Sequence, residues 1–176
     1  MVKVARYPLI VAIFISTLIF PENAHASSCT VSNYQSSTPN VMIYVFTSPD
    51  GTTATCTWNN PYLGASADEL IVGGGGGGGG DVSGGGGAGG LLYFGNETST
   101  NQDSSTRNSN GAAITLTLSS YSVQVGGGGA ATSSQGTDGG KGGDSTFGSN
   151  TATGGGGGRS RNTTGTNTAN NGGSGG

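Results

Sequence analysis

Few side chains in this sequence are suited to catalysis. The single histidine, His25, lies in an N-terminal segment with the features of a secretion signal, so the mature chain has no imidazole for acid–base chemistry. Asp68 and Glu69 are adjacent carboxylates, and adjacent residues of a strand point to opposite faces of a sheet. The serines have no evident base beside them. We therefore predict that the protein is not an enzyme and has no catalytic or cofactor-binding residues.

One segment shows the pattern of a calcium-binding repeat. Residues 139–147 fit the nine-residue pattern G-G-x-G-x-D-x-U-x, with Thr146 at the apolar position and with Asp138 and Asp144 as oxygen donors. Such sites are built from consecutive copies, and this chain has one. Lys141 is followed by glycine, whereas a phosphate-binding loop has Ser or Thr there. We favour a glycine turn with Phe147 packed inward, and predict no metal and no cofactor.

The N-terminus has the organisation of a secretory signal. Lys3 and Arg6 precede an apolar run of 12 residues (9–20), which is short for a membrane span. Ala24 and Ala26 form an A-x-A cleavage pattern before Ser27. We predict a signal helix within residues 1–26, removal of these residues, and a secreted or cell-surface protein with no stable membrane span. A retained membrane anchor is the alternative.

Two cysteines, Cys29 and Cys56, follow the predicted signal. An even number of cysteines in an exported chain indicates a disulfide. Free buried thiols, or partners elsewhere, are the alternative.

The composition limits the size of the core and the class of partner. Apolar residues make up 31% of the chain, so a core of side chains must be small or partly built from backbone. The net charge of −3 and the lack of basic clusters argue against nucleic acid as a partner.

Short β-branched and aromatic runs predict an all-β fold. We expect strands at residues 41–46, 52–58, 68–72, 113–118, 122–125 and 145–147, while residues 91–94 are a short apolar run between glycine segments. The apolar residues expected to form the core are Ile43, Phe46, Trp58, Leu70, Val72, Ile114, Leu116, Val123 and Phe147.

Glycine runs follow two of these strands directly. The runs are residues 73–80, 84–87, 126–129 and 154–158. Glycine permits an extended helix with three residues per turn, of the polyproline II kind, in which backbones pack closely. We predict a bundle of such helices inserted into the β domain. The alternative is that the runs are flexible loops, because glycine loses much backbone freedom on ordering.

The order of these segments resembles that of the glycine-rich domain family. It is carried by residues 44–51, Cys56-Thr57-Trp58, Pro61 and residues 69–75, then by residues 121–128, 142–148 and 152–156. The similarity extends more loosely to the glycine-rich ectodomain of anaplastic lymphoma kinase receptors. The resemblance implies a small β-sandwich with a glycine-helix bundle, used for surface display or recognition.

These observations divide the chain into a signal peptide (1–26), an N-terminal segment with Cys29 (27–40), a glycine-rich β domain (41–161) and an Asn/Thr/Gly tail (162–176). We predict a secreted, non-catalytic domain for display, adhesion or recognition, whose partner is a surface protein or glycan. Residues 96–111 form the expected contact loop, and Asn96 and Asn162 lie in glycosylation sequons.

Two other functions remain open. One is a flexible cell-wall or matrix protein. The other is an ice-binding protein, because threonines recur at alternate positions in residues 53–57, 115–117 and 151–153.

Overall fold

The computed structural model describes residues 2–5, 9–15, 27–36, 41–80, 83–95 and 111–160. Within these ranges the regular structure consists of strands alone, which confirms the all-β class. In chain order the strands are β1 (Val2–Ala5), β2 (Leu9–Ile15), β3 (Ser27–Ser28), β4 (Thr30–Gln35), β5 (Met42–Ser48), β6 (Ala54–Asn59), β7 (Ser66–Val72), β8 (Leu91–Phe94), β9 (Ile114–Thr115), β10 (Ser120–Val125), β11 (Ser145–Phe147) and β12 (Asn150–Ala152).

The strands form two sheets. The first has seven strands: β4 pairs with β5, β2 lies between β5 and β7, β8 and β9 pair with β7, and β1 pairs with both β5 and β7. The second has five strands in the order β12-β11-β10-β6-β3. All pairings of the second sheet are antiparallel except that of β3 with β6.

Aromatic side chains from both sheets meet in the core. The ring of Phe46 on β5 lies 6.3 Å from that of Trp58 on β6 and 6.3 Å from that of Phe147 on β11. Tyr121 on β10 stacks on Phe147 at 4.8 Å. Burying one such side chain contributes about 1.5–3 kcal/mol, so these contacts are a main reason for the sheets to pack face to face. The arrangement is sandwich-like.

Most of the predicted core residues are buried, but the face of β7 was predicted wrongly. Ile71 and Glu69 of this strand are fully buried, whereas Leu70 and Val72 are half-buried. Successive side chains along a strand point to opposite faces of the sheet. Because Ile71 points into the core, Leu70 and Val72 point away from it. Ile114 is half-buried as well.

The predicted strand at residues 113–118 is shorter in the structure, where β9 comprises Ile114–Thr115. Leu116 leaves the ladder, and its backbone N–H donates to the carbonyl of Ala65 at 2.8 Å. The loop before β7 thus provides the partner that a longer strand would have provided.

The predicted N-terminal signal helix is wrong for the described residues. Val2–Ala5 and Leu9–Ile15 are strands, and β2 pairs in parallel with the whole of β5. The residues of β2 are mostly β-branched or aromatic, and such residues favour a strand when a free sheet edge is within reach. Residues 16–26, with Ala24 and Ala26, lie outside the described ranges, so the cleavage before Ser27 stays a prediction.

Candidate functional site

The glycine segments begin where strands of both sheets end. Residues 73–80 follow β7 of the first sheet, residues 126–129 follow β10 of the second, and residues 154–158 come shortly after β12. The segment 84–90 runs into β8. The two sheets therefore position the glycine segments.

Residues 73–80 form the centre of this group and donate hydrogen bonds to two neighbours in alternation. The amides of Gly74, Gly77 and Gly80 donate to carbonyls of one neighbour, residues 137–143. The amides of Gly73, Gly76 and Gly79 donate to carbonyls of the other, residues 84–90. The N···O distances in both sets lie between 2.8 and 3.3 Å. Each neighbour is thus contacted at every third residue of the central segment.

The carbonyl groups of residues 73–80 accept hydrogen bonds from two further segments, and each of these segments also bonds to every third residue. Those of Gly74 and Gly77 accept from the amides of residues 155 and 158 at 2.7 and 2.8 Å. Those of Gly75 and Gly78 accept from the amides of residues 129 and 132 at 2.8 and 3.1 Å. Backbone groups removed from water must find partners, and here four neighbouring segments supply them. The glycine runs are therefore packed against one another.

Close approach of backbones explains why these positions are glycine. A Cβ at Gly76 would lie closer than 3.0 Å to the carbonyl oxygen of Gly156, and one at Gly77 equally close to that of Ala130. At Gly78 of the same run, a Cβ would meet nothing within 4 Å. Glycine is thus required at the positions that face a neighbouring segment, and an alanine has space at Gly78.

Polar side chains satisfy the first amides of the glycine segments. Ser145 Oγ accepts from the amide of Gly126 at 2.9 Å, and Thr53 Oγ1 accepts from that of Gly127 at 3.2 Å. Asp144 Oδ1 accepts from the amide of Gly154 at 2.8 Å. This hydrogen bond lowers the pKa of Asp144, with a further contribution from Lys141 at 3.2 Å.

The two carboxylates considered for calcium are both bonded to the backbone. Asp144 accepts at the start of the 154–158 segment, and Asp138 Oδ1 accepts from the amide of Ser160 at 2.7 Å beyond its end. Ser160 Oγ in turn donates to the carbonyl of Gly80 at 3.1 Å. The described residues contain no group of three His, Cys, Asp or Glu side chains suited to a metal. These contacts give both aspartates a structural role.

A buried carboxyl group lies between the sheets. Glu69 on β7 has no exposed surface, and its Oε2 accepts from Asn150 Nδ2 on β12 at 2.7 Å. Its Oε1 has no hydrogen-bond partner among the residues that the structure describes. Burial raises the pKa of Glu69 to about 7, against the opposing effects of Asn150 and of the positive chain terminus. The sequence indicated that one of Asp68 and Glu69 points inward, but not which one.

The outer face of the second sheet carries small polar side chains. Thr55 and Thr57 of β6 are exposed and alternate with the inward Trp58. They pair with Gln124 and Ser122 of β10, of which Ser122 is exposed. Thr151 of β12 continues this row and is exposed as well. We call the exposed residues Thr55, Thr57, Ser122 and Thr151 the hydroxyl face.

The predicted disulfide is confirmed. Cys29 and Cys56 are bonded to each other, with their Cα atoms 5.4 Å apart. Cys29 lies between β3 of the second sheet and β4 of the first, and Cys56 lies on β6 of the second sheet, so the bond fastens the point where the chain crosses between the sheets to β6. Ser27, the predicted first residue of the mature chain, lies on β3 and pairs with Ala54 of β6.

Some predicted sites lie outside the described ranges. These are the sequon residues Asn96 and Asn162, most of the contact loop 96–111, and the tail 162–176. The described part of the chain has no helix with the length and apolarity that a membrane crossing requires.

Comparison with known families gives one match. Residues 47–176 match the model of a family described as a glycine-rich domain, and this range covers more than half of the chain. No curated protein and no solved structure matches the chain.

Proposed function

The chain belongs to the glycine-rich domain family, and from this premise we propose that it is a secreted, non-catalytic domain for surface display, adhesion or recognition. The observation that carries the proposal is the packing of the glycine segments. A hydrogen-bonded stack of backbone suits a rigid support. Among the described residues, the packed glycine segments bring together no acid, base and nucleophile side chains of the kind that catalysis requires.

We propose that the packed glycine runs are helices of the polyproline II kind. The support is the step of three residues between successive hydrogen bonds to one neighbour, because this helix has three residues per turn. Positions facing a neighbour lack space for a Cβ, as at Gly76, which agrees with close packing of such helices.

The hydroxyl face is the proposed contact surface. Its side chains donate and accept hydrogen bonds, and the strands beneath them hold their spacing, so little order is lost on binding. Glycan hydroxyl groups and the polar surface of a protein both fit such a face. The predicted partner is thus a surface glycan or protein, and the loop 96–111 stays a second predicted contact.

Binding by a double variant tests this surface. The exported chain is applied to a glycan array and to intact cells, beside the variant Thr55→Lys with Thr57→Lys. We expect the variant to bind at least about tenfold more weakly, because two long charged side chains obstruct the face. Thr115→Lys is the matched control, since Thr115 is exposed on the first sheet. Equal binding by the double variant and the wild type would refute the assignment of this face.

Secretion is tested separately. The mass of the exported protein gives its first residue, which we expect to be Ser27 after cleavage behind Ala26. A chain that retains residues 1–26 would contradict this part of the proposal and leave the binding test unaffected.

Ice binding is a second candidate, favoured by the same exposed threonines. A thermal-hysteresis measurement on the wild type and the double lysine variant separates the two functions: hysteresis that the variant loses indicates ice binding. A flexible matrix protein is disfavoured by the hydrogen bonds between glycine segments. Rapid exchange of the amides in residues 73–80 would favour it instead.

A further inference from the structure

The loops at one end of the sandwich carry two exposed leucine side chains. Leu63 lies between β6 and β7 and is 67% exposed, and Leu118 lies between β9 and β10 and is 55% exposed. The glycine segments follow the last residues of β7 and β10, whereas these two loops precede the same strands and lie at their opposite end. We call residues 60–65 and 116–119 the leucine end.

Leu63 is displayed at the tip of a tight turn. The amide of Ala65 donates to the carbonyl of Tyr62 at 3.0 Å, and Gly64 between them has a φ of 73–80° as in other glycine turns of the chain, with 80° at this position. A positive φ at the third residue is typical of a type II turn, in which Leu63 is the second residue. The ring of Tyr62 lies 6.3 Å from that of the buried Tyr44. The turn is thus fixed to the core while the leucine side chain stays outside.

The backbone of Leu118 is held by two side chains. Its N–H donates to Tyr121 Oη at 3.2 Å, and its carbonyl accepts from Asn60 Nδ2 at 2.8 Å. The amide of Gly64 donates to the carbonyl of Leu116 at 2.7 Å, which joins the two loops. Both leucines are therefore exposed on ordered backbone, so that little conformational freedom is lost when they bind.

Charged side chains are distributed unevenly between the two ends of the sandwich. Residues 51–67 and 111–137, which include the leucine end, contain none. The nearest charge along the chain is that of Asp68 on β7. Within or beside the glycine segments at the opposite end lie the charged residues Asp50, Asp138, Lys141, Asp144 and Arg159.

We propose that the leucine end inserts shallowly into the surface of a membrane of neutral phospholipids. Leucine enters the apolar part of a bilayer favourably, and tyrosine is enriched at the interface because its ring is apolar and its hydroxyl group is polar. The leucine end has no basic residue to attract anionic headgroups, and the net charge of −3 opposes them. Neutral headgroups therefore fit this end best.

The small size of the leucine end favours lipid over a protein partner. Two leucines and one half-buried tyrosine expose roughly a few hundred Å², whereas each partner in a standard protein interface contributes about 800 Å². A bilayer needs no complementary shape, and the strength of interfacial binding scales with the apolar area that is buried. The domain would stand on this end, with the glycine segments directed away from the lipid. This contact is separate from the hydroxyl face and goes beyond the proposed function.

Co-sedimentation of the exported chain with phosphatidylcholine vesicles tests the contact. The variant Leu63→Ser with Leu118→Ser should bind at least about tenfold more weakly, because two apolar side chains no longer enter the bilayer. Leu91→Ser is the matched control and should bind like the wild type, since Leu91 is 60% exposed but lies at the start of β8, next to the glycine segment 84–90. All three proteins should unfold at the same denaturant midpoint, because the replaced side chains are exposed.

A fluorescent reporter locates the contact on the molecule. Leu63→Trp should emit at a shorter wavelength once vesicles are added, and Leu91→Trp should not, because only the first ring enters the bilayer. The native Trp58 is buried and contributes the same signal to both variants. The comparison reports on one side chain, so it applies whether or not residues 1–26 are retained.

Four results would overturn the proposal. Equal binding by the double serine variant and the wild type would show that the leucines are not used, and an equal loss in Leu91→Ser would show that their position is irrelevant. Binding that requires phosphatidylserine and falls with added salt would indicate an electrostatic contact elsewhere. A dimer of the free chain that the double serine variant does not form would show that a second copy covers the leucine end. Loss of glycan or cell binding with vesicle binding intact would refute the hydroxyl face and support this contact.

Discussion

The buried carboxyl group of Glu69 should make the stability of this protein fall as the pH rises. The pKa of Glu69 is about 7 in the folded chain, against 4.5 for an ordinary glutamate. A raised pKa means that the folded state holds its proton where the unfolded state has released it. Below pH 4.5 both states are protonated and the group has no effect. Between pH 4.5 and 7 the free energy of unfolding decreases, and above pH 7 the full penalty applies.

The size of this penalty follows from the difference in pKa. A difference of about 2.5 units corresponds to about 3 kcal/mol, at 1.36 kcal/mol per unit. The physical cause is burial, since Glu69 has no exposed surface and Asn150 compensates only one of its two oxygens. Such a penalty is a large part of the total stability of a typical domain, which is about 5–15 kcal/mol.

Glu69→Gln isolates the effect, because its side chain has nearly the same shape and no charge at any of these pH values. Denaturant unfolding is measured at pH 4.5, 6 and 8 for the full chain, in which β2 lies beside Glu69, and for its Glu69→Gln variant. We expect the wild type to lose about 3 kcal/mol between the first and the last pH, and the variant to lose much less. Burying the amide of the variant also changes its stability, but by the same amount at every pH. Comparing each protein with itself across pH therefore removes this contribution.

Glu97→Gln is the control, as the same chemical change at a glutamate of the predicted contact loop. It should keep the pH dependence of the wild type. The reasoning would be refuted if the wild type had the same free energy of unfolding at pH 4.5 and at pH 8, and Glu97→Gln did too. It would also be refuted if Glu69→Gln retained the full slope.

Three further predictions concern what holds the domain together, and each is measured by denaturant unfolding. Gly76→Ala should cost about 1–3 kcal/mol because its Cβ meets the backbone of a neighbouring segment, whereas Gly78→Ala should be neutral or stabilising by up to about 1 kcal/mol; equal costs would contradict the packing. Replacing Cys29 and Cys56 by serine should cost about 2–5 kcal/mol, and an unchanged midpoint would show that the bond is dispensable. Phe147→Ala should cost about 3–5 kcal/mol, since this ring contacts aromatic residues from both sheets; a loss below 1 kcal/mol would place it outside the core.

Local features of the sequence were sufficient for several parts of the structure. Runs of β-branched and aromatic residues predicted the strands at Met42–Ser48 and Ala54–Asn59 to within a few residues, because a strand with one buried face needs such residues in alternation. The two cysteines indicated their bond, and the glycine runs indicated a packed backbone. These signals are local, so they can be seen without knowing the partners.

What remained undecided depends on partners distant in the chain. The inward face of β7 is set by the opposite sheet, where Asn150 meets Glu69, and this contact joins residues 81 positions apart. The same holds for residues 9–15, which pattern alone assigned to a helix and which are a strand because β5 and β7 provide two edges for them.

The sequence by itself thus determined the all-β class, the disulfide and the positions where backbone can approach backbone. The tertiary structure decided which glycines of a run are enclosed, which carboxylate is buried and which strand fills the first sheet. The physical reason is that propensity and alternation act over a few neighbouring residues, whereas space for a Cβ at Gly76 or Gly78 is decided by a segment far away in the chain.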